Sequence, residues 1–454
     1  MRYLVLCTDY DGTLATDGRV FPQTAAALER FLASGRRTVL VTGRELDDLK
    51  SVCPCLHLFE YVVAENGALL YQPSTGTETR LAGRPPDSFV AALRARGVKP
   101  ISVGRVIVAT LEPHETEVLE TIKEQGLELQ VIFNKGAVMI LPAGVNKATG
   151  LSAALERMGL SPHNAVGIGD AENDHALLGL CECGVAVENA LPRLKEAADI
   201  VTTGARGTGV TELIDALLTD DLASHEPRLS RHHVLLGLDD HGREVRIRPY
   251  GENVLLTGNR GSGKSSVAAA VLEQLTQAGY SILAIDPEGD YENLGGTVSL
   301  GTRDRPPSLE EILKLFRSPE RSGVINLSGI ALSGRGSFLE RLLPHLEELQ
   351  GRVGRPHWLA IDGEQAPVTP PPLPGVLQIT ARPKLLEPAV LAQVNLLLAT
   401  GDIPERMIEE YCQMTATPAP RMESVGLRTG EALAWRPRVR NAAPFRLRIQ
   451  PRTR

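Results

Sequence analysis

Four short stretches in the first half of the chain carry residues able to do chemistry on a phosphate ester. Asp9-Tyr10-Asp11-Gly12-Thr13 sets two carboxylates two residues apart, directly after an apolar run. One carboxylate can attack phosphorus while the other gives and takes protons. Val41-Thr42-Gly43-Arg44 ends a second apolar run with a hydroxyl and a turn of backbone N–H groups suited to phosphate oxygens. Lys147 is a cation placed just before a helical pattern, and Gly169-Asp170-Ala171-Glu172-Asn173-Asp174 adds further carboxylates after a later apolar run. Each Asp alone could be a turn former or helix cap. Four pieces in order, each at a strand end, point to a site.

The second half holds another phosphate-directed pattern. Gly258-Asn259-Arg260-Gly261-Ser262-Gly263-Lys264-Ser265-Ser266 follows the apolar run Asn253–Thr257 and opens a helical pattern carrying Val267, Val271 and Leu272. Backbone N–H groups of such a loop surround a β-phosphate at a helix N-terminus, where the dipole favours anions. Lys264 would reach the β- and γ-phosphates, and Ser265 would ligate Mg²⁺. ATP is the implied ligand.

These residues need a scaffold that presents strand ends. The first half alternates apolar runs (Tyr3–Thr8, Arg37–Thr42, Ala165–Gly169, Gly184–Val187) with helical spacing (Thr24–Ser34, Lys147–Met158, Asp174–Leu180, Thr211–Leu218), which predicts an α/β fold with a parallel sheet covered by helices. Residues 61–71 read as strand, turn at Asn66-Gly67, strand. Residues 87–143 break this rhythm as a small α+β insert, with helices near Ser88–Arg96 and Glu115–Glu124 and strands near Arg105–Thr110, Glu128–Asn134 and Ala137–Leu141. The polar, unperiodic stretch 219–232 reads as the linker. A second α/β domain follows, with a hairpin Val234–Leu238/Glu244–Arg248, the strand–loop–helix at Lys264, and strands at Ser281–Ile285, Val324–Leu327, Trp358–Ile361 and Val376–Thr380; Pro370-Pro371-Pro372 marks a loop before the last.

The first four motifs resemble those of the haloacid dehalogenase-like (HAD) phosphatase superfamily, in order and across residues 1–221. The insert between the second and third motifs, the run Asn66-Gly67-Ala68 and the context GIGDAENDHALL are similar to the Cof-like (IIB) branch with its C2-type cap. The resemblance implies a core of residues 1–83 and 145–221, a cap of 84–144 and a linker of 222–232. It implies Asp9 as the nucleophile that becomes an aspartyl-phosphate, Asp11 as general acid/base, Thr42 holding the phosphoryl group and Lys147 neutralising it. Asp9 and Asp170, with Asp11, would bind Mg²⁺, and Asp174 would support them; hard oxygen ligands suit that ion. The substrate class implied is a small phosphorylated metabolite such as a sugar phosphate or phosphoglycolate. Arg105, His114, Asn134 and Lys135 are polar candidates in the cap, each more simply an ordinary surface residue.

In a second domain of residues 233–454, residues 233–450 resemble the HerA/FtsK-like ATPases through LLTGNRGSGKSS, the strand SILAID followed by Pro287-Glu288-Gly289-Asp290-Tyr291, the HWLAID strand ending at Asp362, and Thr380-Ala381-Arg382-Pro383. The resemblance makes Gly258, Gly261, Gly263, Lys264, Ser265, Ser266, Asp362 and Glu364 nucleotide-site residues. Here Asp362 is followed by Gly363 rather than directly by Glu, and Ala381 stands where translocating members carry Gln. ATP binding is therefore expected, with a second, ATPase activity whose rate these departures leave open.

Composition limits the partners. The chain has 454 residues, 43% hydrophobic and 23% charged, with a net charge of −7, enough for several packed cores. The acidic first half speaks against nucleic acid as its partner, while the Arg-rich stretch 421–454 leaves DNA as the disfavoured alternative: a nucleic-acid-associated ATPase with an accessory phosphatase. That stretch reads more simply as a solvated face or a subunit contact in a homo-oligomer. A third alternative is an ATP-sensing scaffold whose phosphatase is the sole catalyst. Six cysteines, among them Cys53/Cys55 and Cys181/Cys183, read as buried thiols rather than a zinc site. With no apolar run of membrane-spanning length and no signal-peptide pattern, the expected location is the cytoplasm.

Overall fold

The computed structural model describes residues 1–319, 321–363 and 375–450. The proline run 370–372 and Glu364 lie outside them. The chain divides into two units, Met1–Leu229 and Ser230–Arg454.

In the first unit, strands β1 (Val5–Thr8), β2 (Arg37–Val41), β3 (Tyr61–Ala64), β4 (Leu69–Gln72) and β5 (Thr77–Arg80) precede the insert. The insert carries β6 (Ser102–Val103), β7 (Val108–Leu111), β8 (Leu129–Asn134) and β9 (Ala137–Pro142), and β10 (Ala165–Gly169), β11 (Cys183–Ala186) and β12 (Ile200–Val201) follow it. The main sheet runs β12-β11-β10-β1-β2-β3-β4-β5. Its pairs from β12 to β3 are parallel; β4 and β5 add an antiparallel edge. Every residue of β1 and β10 is buried, as expected for strands covered on both faces. The chain builds outward from β1 to β3 on one side, then returns to build β10 to β12 on the other. The order therefore reverses between β1 and β10, and the carboxyl ends there form the crevice in which α/β sheets bind ligands.

The insert is a four-stranded antiparallel sheet, β6-β7-β9-β8, backed by helices Asp87–Ala95 and Glu115–Gln125. It has its own apolar core, including Phe89, Leu93, Val108, Val118 and Ile140. A carboxylate at the end of β3 pins it to the main sheet: Glu65, fully buried, accepts the backbone N–H groups of Arg105, Val106 and Ile107 at 2.8, 2.7 and 2.9 Å. Three charge-assisted bonds to one buried carboxylate satisfy an ion that would otherwise be costly to bury.

The stretch expected to be a linker is mostly folded. The preceding helix continues to Asp220, a short 3₁₀ helix spans Ala223–Arg228, and Leu222 and Leu229 are buried. Its acids bind cations from the first unit, Asp221 with Arg36 at 3.0 Å and Glu226 with Arg2 at 2.7 Å. Polar composition here marks ion pairing rather than slack chain. The polar edge strand β5, sequence TETR, carries no apolar alternation and left no sequence signal.

The second unit contains β13 (Val234–Asp239), β14 (Glu244–Ile247), β15 (Glu252–Gly258), β16 (Ile282–Asp286), β17 (Thr297–Leu300), β18 (Ser322–Asn326), β19 (Trp358–Asp362), β20 (Gly375–Thr380), β21 (Leu396–Thr400), β22 (Glu431–Trp435) and β23 (Phe445–Ile449). They form one sheet in the order β14-β13-β23-β22-β21-β15-β20-β19-β16-β18-β17. Pairing is parallel from β21 to β17 and antiparallel through β22, β23, β13 and β14. Among the described residues, no helix is long and apolar enough to cross a membrane.

Local geometry ties the first unit's fold to its site at one helix end. Asn146 caps the helix Lys147–Met158: its Oδ1 accepts the N–H groups of Ala148 and Thr149, and Thr149 Oγ1 accepts the Asn146 N–H. Gly67, at φ +106°, lies so close that a Cβ there would stand 1.9 Å from the Asn146 carbonyl oxygen. Loss of this cap in Asn146→Ala should cost about 1 kcal/mol. The measurement is the urea dependence of amide exchange in Lys147–Met158 in the full chain.

Candidate active site and nucleotide loop

Asp9 follows β1, and its backbone N–H continues the ladder to Ile168 of β10 at 3.0 Å. Its side chain enters a buried ionic triad. Lys147 Nζ lies 2.5 Å from Asp9 Oδ1 and 2.6 Å from Asp174 Oδ1, and the lysine is 1% exposed. Burial lifts Asp9 to about 7; Asp174 pushes the same way, and Lys147 pulls it down. Lys147 is lowered by burial, but Asp174 and Asp9 outweigh that and hold it above its ordinary value, as a firm cation.

Both oxygens of Asp174 are engaged. Its second oxygen accepts the N–H groups of Asp170 and Ala171, each at 2.9 Å. It shapes the turn after β10 and orients Lys147. Burial raises Asp170; Lys135 opposes this. One Asp170 oxygen accepts from Thr13 at 3.2 Å, the other from Lys135 at 2.7 Å and from Asn189 at 3.4 Å.

Asp11 points to a different partner. Arg44 grips both its oxygens, Nε at 2.6 Å and Nη2 at 2.7 Å, and also reaches Asp48. Both Asp11 oxygens are thus held in one ion pair. Thr42, buried at the end of β2, accepts the Arg44 N–H at 3.1 Å. The sequence-marked residues thus fall into one cluster of Asp9, Lys147, Asp170 and Asp174, and an Arg44-linked pair of Asp11 and Thr42.

The residues fit a hard divalent cation. Carboxylate oxygens of Asp9, Asp170 and Asp174 lie within 4.8 Å of one another. Asp174 Oδ2 takes two backbone donors and its Oδ1 takes Lys147, while Asp9 and Asp170 complete the candidate ligand set. A cationic group already bridges oxygens here: Lys135 Nζ contacts Asp170 Oδ2 and, at 3.0 Å, the Asp11 carbonyl. Gly12, at φ +84°, leaves this space open; a Cβ there would sit 2.4 Å from Asp170 Oδ2.

Lys135 is exposed, as the sequence reading had it, but its ammonium reaches Asp170 in the core's site. Its only sequence signal was Lys-Gly between two β-runs, a tight-turn pattern that says nothing about where the turn lands. Asn189, which donates to the Gly12 carbonyl at 2.9 Å, was not singled out either. Arg105 instead pairs with Asp47 and Glu78, and His114 contacts the Lys99 carbonyl at 3.1 Å.

In the second unit, Gly258, Gly261 and Gly263 all have positive φ, and the helix Lys264–Gln277 starts directly after the loop. Lys264 curls back onto the loop, donating to the carbonyls of Gly258 and Asn259 at 2.9 Å each. Ser265 donates to Asp290 at 2.7 Å, an acid the sequence reading quoted but did not assign. Ser265, Ser266, Asp290, Thr429 and Arg448 line a cavity of about 660 Å³ beside the loop. Asp362 accepts from the Tyr291 hydroxyl at 2.7 Å; burial raises it to about 6, and the Tyr291 bond opposes this. β20 lies between β15 and β19, so Asp362 is two strands, ~10 Å, from the loop's strand. Asp286 is a turn organiser, accepting N–H groups from Glu288, Gly289, Asp290 and Tyr291.

A family profile described as haloacid dehalogenase-like hydrolase matches residues 6–84 and 96–214. The chain is 30% identical over 223 residues to phosphoglycolate phosphatase 2 of Saccharolobus solfataricus, covering 48% of this chain and 93% of that protein. The chain belongs, through its N-terminal half, to the haloacid dehalogenase-like hydrolases. This hydrolase is also 30% identical over 219 residues to the phosphoglycolate phosphatase of Methanothermobacter thermautotrophicus, covering 46% of this chain and 96% of that one. A haloacid dehalogenase-like hydrolase structure from Bacteroides thetaiotaomicron aligns over 47% of this chain and 99% of its own, with a TM-score of 0.42 and 19% identity. A profile for adenylylsulphate kinase matches residues 250–334 of the hydrolase, a span that holds the phosphate loop but not Asp362.

Among the described residues, Lys147 alone bridges Asp9 and Asp174. Lys147→Met leaves two carboxylates buried without it and should destabilise the first unit by about 3–5 kcal/mol. Urea-dependent amide exchange of β1 and β10 measures this; β15 amides serve as the internal control.

Proposed function

We propose that the first unit is a Mg²⁺-dependent phosphomonoesterase acting on a small phosphorylated metabolite, in the sugar phosphate or phosphoglycolate class. The observation that carries the reading is the Lys147 bridge between Asp9 and Asp174 at the sheet's reversal point. A carboxylate held beside a fixed ammonium in a buried crevice is positioned to meet an anionic phosphoryl group.

Asp9 Oδ attacks phosphorus, the ester oxygen departs with a proton, and an aspartyl-phosphate forms on Asp9 for water to cleave. Asp11 delivers the first proton and takes one from the water, once Arg44 yields an oxygen. Thr42 and Lys147 hold the phosphoryl oxygens. Mg²⁺ held by Asp9, Asp170 and the Asp11 carbonyl would screen repulsion between nucleophile and ester. In this reading residues 84–144 serve as a C2-type cap over a core of 1–83 and 145–221, with 222–232 leading to the next domain. The two relatives named above as phosphoglycolate phosphatases support the substrate class.

The second unit, in this reading, is a HerA/FtsK-like domain that binds ATP through Gly258, Gly261, Gly263, Lys264, Ser265 and Ser266. The hairpin β13–β14 before the loop, Asp362 at the end of a strand two places from the loop's strand, and the closing strands β22 and β23 support it. The kinase profile shares the phosphate loop and is the competing kind of P-loop domain. A DNA motor is disfavoured, because arginines of the C-terminal stretch are engaged by acids of their own unit. Arg436 binds buried Glu252 at 2.7 Å, and Arg446 and Arg448 face Asp240 and Glu431 at 3.6 and 3.7 Å. Such pairing removes charge that phosphate backbones would need. A cytoplasmic location suits both activities.

Asp9→Asn should reduce phosphate release from an aryl phosphate by at least about 10³-fold and leave ATP retention intact. Lys264→Ala should do the reverse. Failure of the wild-type chain to form any acid-labile acyl phosphate would sink the phosphatase reading. Duplex DNA should leave the ATPase rate within about twofold, and a many-fold rise would favour the motor.

A further inference from the structure

The turn between β8 and β9 is two residues long, Lys135-Gly136, because Asn134 pairs with Ala137. Both turn residues have positive φ, +49° and +84°. That is the tight hairpin geometry in which Asn-Gly is favoured and a long side chain in the first position is disfavoured. The sequence therefore spends local backbone strain to put a lysine at the tip, a pattern that accompanies functional positions.

The tip is delivered to the first unit's acidic site. Lys135 Nζ contacts Asp170 Oδ2 at 2.7 Å and the Asp11 carbonyl at 3.0 Å. The insert's approach is set elsewhere, by the buried Glu65 carboxylate and its three backbone donors. Another insert side chain, Met139, lies over the site's second motif: a Cβ on Gly43 would stand 2.9 Å from its methyl carbon.

A divalent ion held by Asp170 and the Asp11 carbonyl would compete with the Lys135 ammonium for Asp170 Oδ2 and for that carbonyl, while the two-residue turn keeps the lysine at the edge of the site. An ammonium is a compact, mobile point charge with three donors. Deprived of Asp170, the half-exposed ammonium would lack a carboxylate partner. A carboxylate on the substrate's leaving group replaces that partner.

Resting on the phosphatase reading, we propose that Lys135 is a specificity-determining residue: it exchanges Asp170 for a carboxylate on the leaving group and so selects acidic phosphomonoesters over neutral ones. Arg44 is held by two carboxylates, Asp11 and Asp48, whereas Lys135 meets one, Asp170.

The test uses the full chain and Lys135→Met and Lys135→Arg. The readouts are kcat/KM for 2-phosphoglycolate and for p-nitrophenyl phosphate, together with calorimetric Mg²⁺ titration in the absence of substrate. The wild type should prefer the carboxylate-bearing ester. Lys135→Met should cut that preference about 10- to 100-fold, chiefly through KM, the scale of one charge-assisted hydrogen bond. Lys135→Arg should retain most of it. Lys135→Met should also bind Mg²⁺ at least about threefold more tightly, because no ammonium competes for Asp170. An unchanged preference, an equal loss on both esters, or an unchanged Mg²⁺ affinity overturns the role of Lys135 and leaves the phosphatase reading standing. A wild-type chain that turns over neither ester overturns both.

Discussion

A single buried ammonium organises the first unit's site. Lys147 sits between Asp9 and Asp174 with almost no solvent contact. Removing three charges from water is expensive, and mutual attraction repays it only when geometry is close and remaining lone pairs are satisfied. The surrounding structure supplies that satisfaction. Asp174 spends its second oxygen on two backbone donors of the turn after β10, and the helix bearing Lys147 is capped by Asn146. The capped end in turn abuts Gly67. Strand ends from three places in the sequence are thus fixed around one charge, and the nucleophile candidate is held in an environment where its charge state is set by neighbours rather than by solvent.

Around that centre, carboxylates are distributed by partner. Asp174 is structural, Asp11 is restrained by arginine, and Asp170 is held by groups that can leave, a hydroxyl, an amide and a flexible lysine. Asp9 and Asp170 are therefore the oxygens available to an incoming cation. The same sorting by partner occurs in the second unit. Asp286 is consumed by backbone donors, whereas Asp290 and Asp362 make single bonds to hydroxyls near the phosphate loop. Acids that look equivalent in a sequence differ in what they are free to do.

Much of the architecture was legible because it rests on local patterns. β10 lies where the apolar run Ala165–Gly169 put it, and Lys264 opens its helix as the loop pattern required. The insert's hairpin was legible for the same reason. The polar edge strand β5 was not, since an edge buries little and needs no apolar code. The division between the units falls inside the expected linker, after Leu229, but the polar residues before it are folded because Asp221 and Glu226 meet Arg36 and Arg2.

By itself, the sequence determined that acidic, hydroxyl and cationic groups stand at the ends of parallel strands, that a glycine-rich loop opens a helix, and that an α+β insert separates the second and third motifs. Spacing and hydrophobic period are short-range properties, so they survive in one dimension. Only the tertiary structure decided which acids remain available, that Arg44 clamps Asp11, and that the tip of the insert's hairpin brings Lys135 onto Asp170 across 35 positions of chain. Those outcomes depend on the reversal of strand order at β1 and on how Glu65 seats the insert, and charge pairing across such distances has no local signature.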